Sequence, residues 1–158
     1  MRRTITALAI TTLTLSLTGC GAGTSASTRN ITQVTDGVEA AITADGNNIK
    51  LVNILVVDTA EGAGVLVGTI VNSLPVEDAL LGVAINGQVA TVTGTNTLAQ
   101  NKPVIFEGPS ANAKAVVGAL GAAAGQSVQI TMFFAHAGQI TVQAVIRDQR
   151  DTYAGITA

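Results

Sequence analysis

From Gly37 onward, short apolar runs alternate with glycine, asparagine and proline, and this alternation restricts the fold more than any other feature. No amphipathic run of helical length lies between them. Strands of about five to six residues joined by turns are typical of such a pattern. We predict strands at 38–43, 49–58, 65–73, 80–86, 88–93, 104–107, 128–135 and 139–147. The range 113–120 is also apolar and fits either a strand or a short helix.

The last hairpin has the clearest signal. Its two runs, 128–135 and 139–147, flank a short turn at His136-Ala137-Gly138. Every second residue of the first run is large and apolar, so these residues share one face of a strand. They are Val128, Ile130, Met132 and Phe134. We predict that this face packs against the core.

The spacing of the runs predicts an all-β fold, a single antiparallel, immunoglobulin-like β-sandwich of about 7–9 strands. The sandwich is expected to occupy residues 37–150, with a C-terminal tail at 151–158. Aromatic residues make up 3% of the chain, so the core must consist mainly of Val, Ile, Leu and Ala. A body of this length suits one domain.

The first twenty residues have the organisation of an export signal that ends in a lipobox. Arg2 and Arg3 are followed by an apolar stretch at 5–17, and Gly19 places a small residue before Cys20. The stretch is shorter than the roughly 20 residues that a membrane-spanning helix needs. We therefore predict that residues 1–19 are a helical, cleaved lipoprotein signal peptide and that Cys20 is the lipid attachment site. An ordinary secretory signal is the alternative.

Lipid on Cys20 would hold the mature chain on the extracytoplasmic face of the cell membrane. Two acyl chains, such as palmitate, give stable attachment, because each buried methylene contributes about 0.8 kcal/mol. Residues 20–36 lack the apolar density of a core and are predicted to be a flexible tether. Its Thr and Ser residues could carry glycans, but a solvated spacer is the simpler interpretation.

Charge excludes several classes of partner. The sequence has ten acidic and eight basic side chains and a formal net charge of −2. Binding of nucleic acid, or of anionic lipid headgroups, requires a basic face. We therefore expect no nucleic-acid partner. The predicted partners are the membrane, through the N-terminal lipid, and an envelope protein or cell-wall component that the sequence does not identify.

Catalytic side chains are scarce, and we predict neither enzyme activity nor a catalytic residue. His136 is the only histidine and lies in a predicted turn, where a solvated side chain is the simplest interpretation. No serine lies in a Gly-x-Ser-x-Gly turn. Glu77 and Asp78 are neighbours on an extended chain and point apart, so they are expected to decorate the loop after Pro75. The charged run 147–151 is expected to be a solvated terminus or a local ion-pair cluster.

Metal ligands are equally scarce in the predicted mature chain. Copper sites need thioether, thiolate or imidazole ligands that converge on one point, and only Met132 and His136 remain as candidates. Met132 belongs to the apolar face, whereas His136 lies in the turn. Asp58 and Glu61 could contact a hard cation, but no calcium-loop spacing surrounds them. We predict no metal site and no cofactor.

Short motifs along the chain carry a resemblance to a known family. They are GCGAG at 19–23, GNNIKLVNIL at 46–55, VNS at 71–73 with LLGV at 80–83, and FAHAGQITV at 134–142. In these motifs the chain resembles the LpqE-type lipoproteins of actinobacteria. It is more remotely similar to periplasmic copper chaperones. The resemblance implies a cupredoxin-like, immunoglobulin-like sandwich and a location in the cell envelope.

The chain departs from the copper chaperones in its ligands. Those proteins have paired His and Met ligands in the middle and later strands, whereas 84–97 and 106–120 contain neither residue here. We therefore predict a membrane-anchored, non-catalytic module that binds or organises a component of the cell envelope. The alternative is a copper chaperone-like protein that uses a degenerate site or one shared with a partner.

Overall fold

A computed structural model describes residues 35–158. The predicted signal peptide, Cys20 and nearly all of the predicted tether at 20–36 lie outside the described residues. Residues 35–158 contain no helix that is long and apolar enough to span a bilayer.

Eleven strands form the described part of the chain. In order they are β1 (Val38–Ile42), β2 (Ile49–Asp58), β3 (Gly64–Asn72), β4 (Asp78–Ile85), β5 (Gln88–Val89), β6 (Thr91–Gly94), β7 (Thr97–Leu98), β8 (Val104–Ile105), β9 (Ala113–Val117), β10 (Ser127–Phe134) and β11 (Gln139–Asp148). Short 3-10 turns lie at Ala44–Gly46 and Asp151–Tyr153. The predicted all-β sandwich is thereby confirmed, and the range 113–120, open between strand and helix, begins as a strand.

The main path through the sheet runs β5-β4-β10-β11-β2-β3-β9-β6. It curls into a near-barrel, because its two end strands, β5 and β6, are neighbours along the chain. Only Ala90 separates them; it is 7% exposed, and its N–H donates to the Val83 carbonyl at 2.8 Å. The predicted single strand at 88–93 therefore divides at Ala90, where the chain leaves β4 and joins β9.

The prediction of purely antiparallel pairing is wrong at one position. The end of β11 pairs with the end of β2 in parallel, and Ile146 lies opposite Val56. The first part of β11 pairs with β10 in antiparallel fashion. A strand of this length can pair with two neighbours in succession. β11 therefore joins one layer, which contains β4 and β10, to the other layer, which contains β2 and β3.

The main core lies between the two layers and is aliphatic, as composition requires. Met132 and Ile130 have 0% exposure on the inner face of β10, and Phe106 is the largest of the fully buried side chains. Val128 and Phe134 complete the inner face of β10, at 3% and 4% exposure. The alternation predicted for the run 128–135 is confirmed.

A second, smaller core lies on the outer face of β2 and β3. Its members are Leu55, Val57, Val65, Val67 and Ile156, with Val116, Val145 and Tyr153 packed against them. Because β2 and β3 bury both of their faces, they read as nearly continuous apolar runs in the sequence. The residues at 151–158, predicted to be a tail, therefore fold back, and Ile156 is only 8% exposed.

Tight backbone contacts shape the middle of β2 and β3. Asn53 has a φ of 54°, and the β2–β3 register shifts between Val52 and Leu55, which marks a bulge. On the neighbouring strand, Gly68 has a φ of 143°, and a Cβ there would lie 2.5 Å from the Ile54 Cδ1 atom. A side chain there would be strained at this φ and would crowd the Asn53 carbonyl oxygen, 3.0 Å from the Cβ position, so glycine is favoured.

Candidate functional site

The only histidine of the chain lies beside a buried carboxylate. The Asp78 carboxylate is 5% exposed at the start of β4, whereas the His136 side chain is 68% exposed in the β10–β11 turn. The backbone N–H groups of His136 and Ala137 both donate to the Asp78 carboxylate at 2.9 Å, and that of Ala79 donates at 2.7 Å. His136 Nδ1 is 3.5 Å from Asp78 Oδ1.

These contacts set the charge of Asp78. Burial raises its pKa, but the donated backbone hydrogen bonds from His136, Ala79 and Ala137, with the charge of His136, outweigh that effect. The net result is a pKa below the ordinary value, so Asp78 is a carboxylate at neutral pH. It uses its oxygens to hold the turn, which leaves it unsuited to act as a general base.

The prediction that Glu77 and Asp78 both decorate the loop after Pro75 is therefore wrong for Asp78. Glu77 is exposed, as predicted, but Asp78 is 6% exposed and ties two strands together. Adjacent residues on an extended chain point to opposite sides, which lets Glu77 face solvent while Asp78 faces inward. The sequence did not indicate that Asp78 would be buried.

The candidate soft-metal ligands do not share a site. The Met132 side chain lies in the core with 0% exposure, and the His136 side chain extends into solvent. Within residues 35–158, no group of three or more His, Cys, Asp or Glu side chains could hold a metal ion. Asp58 and Glu61 therefore belong to no such group, and the described chain holds no converging ligand set for copper.

The charged run 147–151 forms specific contacts. The guanidinium of Arg150 pairs with the Asp148 carboxylate, so the predicted ion-pair cluster is present. Arg147 reaches Asp36 with an N–O distance of 3.5 Å and lies 6.0 Å from the centroid of the Tyr153 ring. Tyr153 in turn donates its O–H to Asp36 at 3.1 Å. These contacts fix the C-terminal segment beside the start of β1.

A cleft of about 420 Å³ opens where the C-terminal segment crosses β2 and β3. Its walls combine apolar and polar side chains with glycine backbone, and they are Asn53, Val67, Glu107, Gly108, Thr152, Tyr153, Gly155 and Ile156. The bulge at Asn53 forms one side. We call this feature the C-terminal cleft.

Two titratable groups of the C-terminal cleft are perturbed. Burial raises the pKa of Glu107, against smaller lowering effects of the Lys114 charge and a hydrogen bond from the Gly108 backbone. Burial also raises the pKa of Tyr153, and the hydrogen bond to Asp36 adds to the effect. Tyr153 therefore remains a neutral phenol at neutral pH, and Glu107 is a partly desolvated carboxylate.

Sequence reasoning missed this cleft entirely. Glu107 is a single acidic residue between Phe106 and Gly108, and Tyr153 is the only tyrosine, in a range assigned to a tail. The one available signal was the pair of large apolar side chains, Tyr153 and Ile156, in a terminus that otherwise contains small and polar residues. Such residues at a chain end indicate that the end docks on the domain.

Comparison with known proteins gives matches only at the level of structure. No family model matches the sequence, and no curated protein matches it. Three similar solved structures are the apo PCuAC domain from PmoF1, the copper-bound PCuAC domain from PmoF2 and the apo PmoF2 PCuAC domain. Each is 18% identical in sequence.

The first two superpose with TM-scores of 0.58 and 0.57, covering 70% of this chain and 99% and 98% of those domains. The third gives 0.56, covering 72% of this chain and 96% of that domain. The fold is similar to that of PCuAC domains. In its fold, therefore, the chain is similar to copper-chaperone sandwiches, as the sequence resemblance implied. The narrower resemblance to LpqE-type lipoproteins receives no support from these matches and stays a prediction.

Proposed function

We propose that the protein is a non-catalytic binding module of the cell envelope, held on the extracytoplasmic face of the membrane by lipid on Cys20. The observation that carries the proposal is a sandwich similar to PCuAC domains whose described residues lack a converging set of soft ligands. In this proposal the sandwich serves recognition. The carboxylate of Asp78 holds a turn through the backbone N–H groups of His136 and Ala137.

The lack of enzyme activity is part of this proposal. Asp78 is committed to three backbone donors, and His136 lies in solvent without a nucleophile beside it. A catalytic triad or dyad needs a nucleophile within hydrogen-bond reach of a base. The C-terminal cleft has one carboxylate and a neutral phenol, a combination that suits binding.

The lipid anchor is tested on protein from the native host. We expect mass spectrometry of the N-terminal peptide to show a diacylated Cys20, and detergent phase separation to place the chain in the detergent phase. The Cys20→Ala variant should move to the aqueous phase, whereas Ser25→Ala, a matched change five positions later, should not. An unmodified cysteine thiol on the isolated protein contradicts the anchor.

A second candidate function is a copper chaperone-like protein that completes its site with a partner. The likeness to a copper-bound PCuAC domain favours it directly, and the comparisons support it more than they support a purely organising role. In that case copper is the cargo. His136, which is 68% exposed, is the one described soft ligand that a partner could reach.

Titration with Cu(I) against a competing chelator separates the two when it is made both on the isolated full chain and on native-host membranes, where a partner is present. We expect no tight one-to-one binding that depends on this chain in either preparation. Tight binding that disappears in His136→Gln or Met132→Leu would establish the copper candidate in place of the first. Met132→Leu removes the thioether while conserving core volume, so a loss of copper binding in that variant reports on ligation.

A further inference from the structure

We propose that the C-terminal cleft binds a small organic cation, an ammonium group carried on a short apolar body. The inference extends the proposed binding function to a class of ligand. It concerns a part of the molecule away from Met132 and His136, so it can fail or succeed independently of the copper question.

The lining of the cleft matches such a ligand. Val67 and Ile156 provide an apolar surface, both 8% exposed, and belong to the second core. Asn53, Thr152 and Tyr153 add an amide, a hydroxyl and an aromatic ring. Oxygen atoms accept hydrogen bonds from an ammonium group, and the Tyr153 ring, which already has the Arg147 guanidinium 6.0 Å from its centroid, adds apolar surface. The volume of about 420 Å³ is within the range of small-molecule sites.

The electrostatics of the cleft select a positive charge. Within residues 35–158, no side chain forms an ion pair with Glu107. The two other charges near Tyr153, Asp36 and Arg147, pair with each other. Lys114 acts on Glu107 only beyond ion-pair distance and does not line the cleft. Glu107 is thus a half-buried carboxylate whose charge lacks a close partner.

Backbone geometry holds the cleft in shape before any ligand arrives. Asn53 adopts a φ of 54° in the middle of a strand, an uncommon conformation for a residue other than glycine. Its Oδ1 accepts the Gly37 N–H at 2.8 Å, and a Cβ on Gly37 would lie 2.4 Å from the Asn53 carbonyl carbon. The Asn53 side chain is therefore fixed from one side while it lines the cleft from the other. A preorganised site loses less entropy on binding.

The charge of the whole domain acts in the same direction. Residues 35–158 contain all ten acidic side chains of the chain, whereas three of the basic ones, Arg2, Arg3 and Arg29, lie outside. A negative surface raises the local concentration of small cations. The field alone gives no specificity, so the position of Glu107 must provide it.

The test is a set of NMR titrations of the full chain with n-butylammonium, n-butanol and butyrate. We expect saturable shifts of the Val67, Gly108 and Ile156 amides with n-butylammonium at roughly millimolar concentration. Binding of n-butanol should be at least about tenfold weaker, and butyrate should not bind, because Glu107 repels it. Equal shifts with all three probes, or no saturable shift with n-butylammonium, would overturn the proposal.

Variants assign the effect to Glu107. Glu107→Gln conserves shape and should weaken n-butylammonium binding at least about tenfold, whereas Glu77→Gln, an exposed acid outside the cleft, should change it less than about twofold.

Binding should also fall as the pH is lowered through the pKa of Glu107, since the cation needs the ionised form. The charge of Lys114 acts on Glu107 from outside the cleft, so Lys114→Gln should strengthen binding.

An ammonium group could come from a free metabolite or from a lipid headgroup. A titration with micelles of short-chain phosphatidylethanolamine, against matched phosphatidylglycerol micelles, distinguishes these sources. Shifts at the cleft with phosphatidylethanolamine alone indicate a headgroup. Saturation by n-butylammonium without any response to the micelles indicates a soluble amine. Failure of n-butylammonium to bind overturns the inference, whatever the micelles do, and leaves the lipid anchor and the copper titration unaffected.

Discussion

At the scale of single residues, one buried carboxylate joins the start of β4 to the β10–β11 turn. Asp78 has 6% exposure, and its two oxygens receive backbone hydrogen bonds from both its own strand and the β10–β11 turn. Burial of a charge is unfavourable unless hydrogen bonds compensate for it. Here three donors do so, and His136 adds a favourable charge whenever it is protonated.

Replacement of Asp78 by Asn should therefore destabilise the fold. The amide nitrogen would replace one carboxylate oxygen and leave at least one backbone N–H without an acceptor, and the hydrogen bonds to the remaining oxygen would lose their charge assistance, so we expect a loss of about 2–3 kcal/mol. Urea unfolding measures it. Glu77→Gln is the matched control and should change the free energy of unfolding by less than about 0.5 kcal/mol. A loss that is equal in both variants contradicts the role of Asp78.

The pH dependence of stability has a definite sign for the same residue. The folded-state pKa of Asp78 lies below its unfolded value, so its contribution is fully present above about pH 4 and is lost as the pH falls through the folded-state pKa. We expect the difference in free energy of unfolding between the wild type and Asp78→Asn to disappear in that acid range. An advantage that is constant down to pH 2 would be inconsistent with this account.

The contribution of Glu107 to stability should have the opposite pH dependence. Burial raises its folded-state pKa, so the ionised form is a penalty that is present at neutral pH and disappears as the pH falls through that pKa. Glu107→Gln should therefore raise the Tm at pH 7, by up to about 2 °C, while it weakens cation binding. Differential scanning calorimetry at pH 7 and at pH 4 measures the change. A lower Tm in Glu107→Gln at pH 7 would argue against a desolvated carboxylate.

At the scale of elements, β2 and β3 form the centre of the fold because both of their faces are covered. The main core packs on one face, and Ile156 with the second core packs on the other. The close approach of the two strands at the bulge depends on Gly68, where a Cβ would lie 2.5 Å from the Ile54 Cδ1 atom and 3.0 Å from the Asn53 carbonyl oxygen.

Gly68→Ala should accordingly destabilise the domain by roughly 2–3 kcal/mol, through strain at a positive φ and through overpacking. Gly82→Ala provides the comparison, because its Cβ would enter open space at an ordinary φ. We expect that control to be neutral within about 0.5 kcal/mol in chemical denaturation. Similar effects at both positions would show that the tight contact at Gly68 is not decisive.

Much of this element structure could be predicted from the sequence, and the failures have physical causes. Alternation and turn residues located β2 and the closing hairpin, since these depend on local patterns. Parallel pairing of β11 with β2, and the docking of Ile156, depend on contacts between distant parts of the chain. Local periodicity does not encode such contacts. The inward turn of Asp78 was missed for the same reason, because its donors in the His136 turn are remote in sequence.

At the scale of the whole molecule, the two cores share strands and should melt together. Tyr153 is the only tyrosine in a chain without tryptophan, so its fluorescence reports on the C-terminal segment alone. We expect its thermal transition to coincide with that of far-UV circular dichroism, as in two-state unfolding. A Tyr153 transition that precedes the other by more than about 5 °C would show that the segment detaches independently.

The position of Ala90 has a further consequence for how the molecule behaves among its own copies. Exposed strand edges are the surfaces through which β-proteins join edge to edge into aggregates. Here the two terminal strands of the main path are joined through one buried alanine, and each is short, so neither end offers a long template for a neighbouring chain. Molecules at high concentration can therefore stay separate without the help of a high net charge.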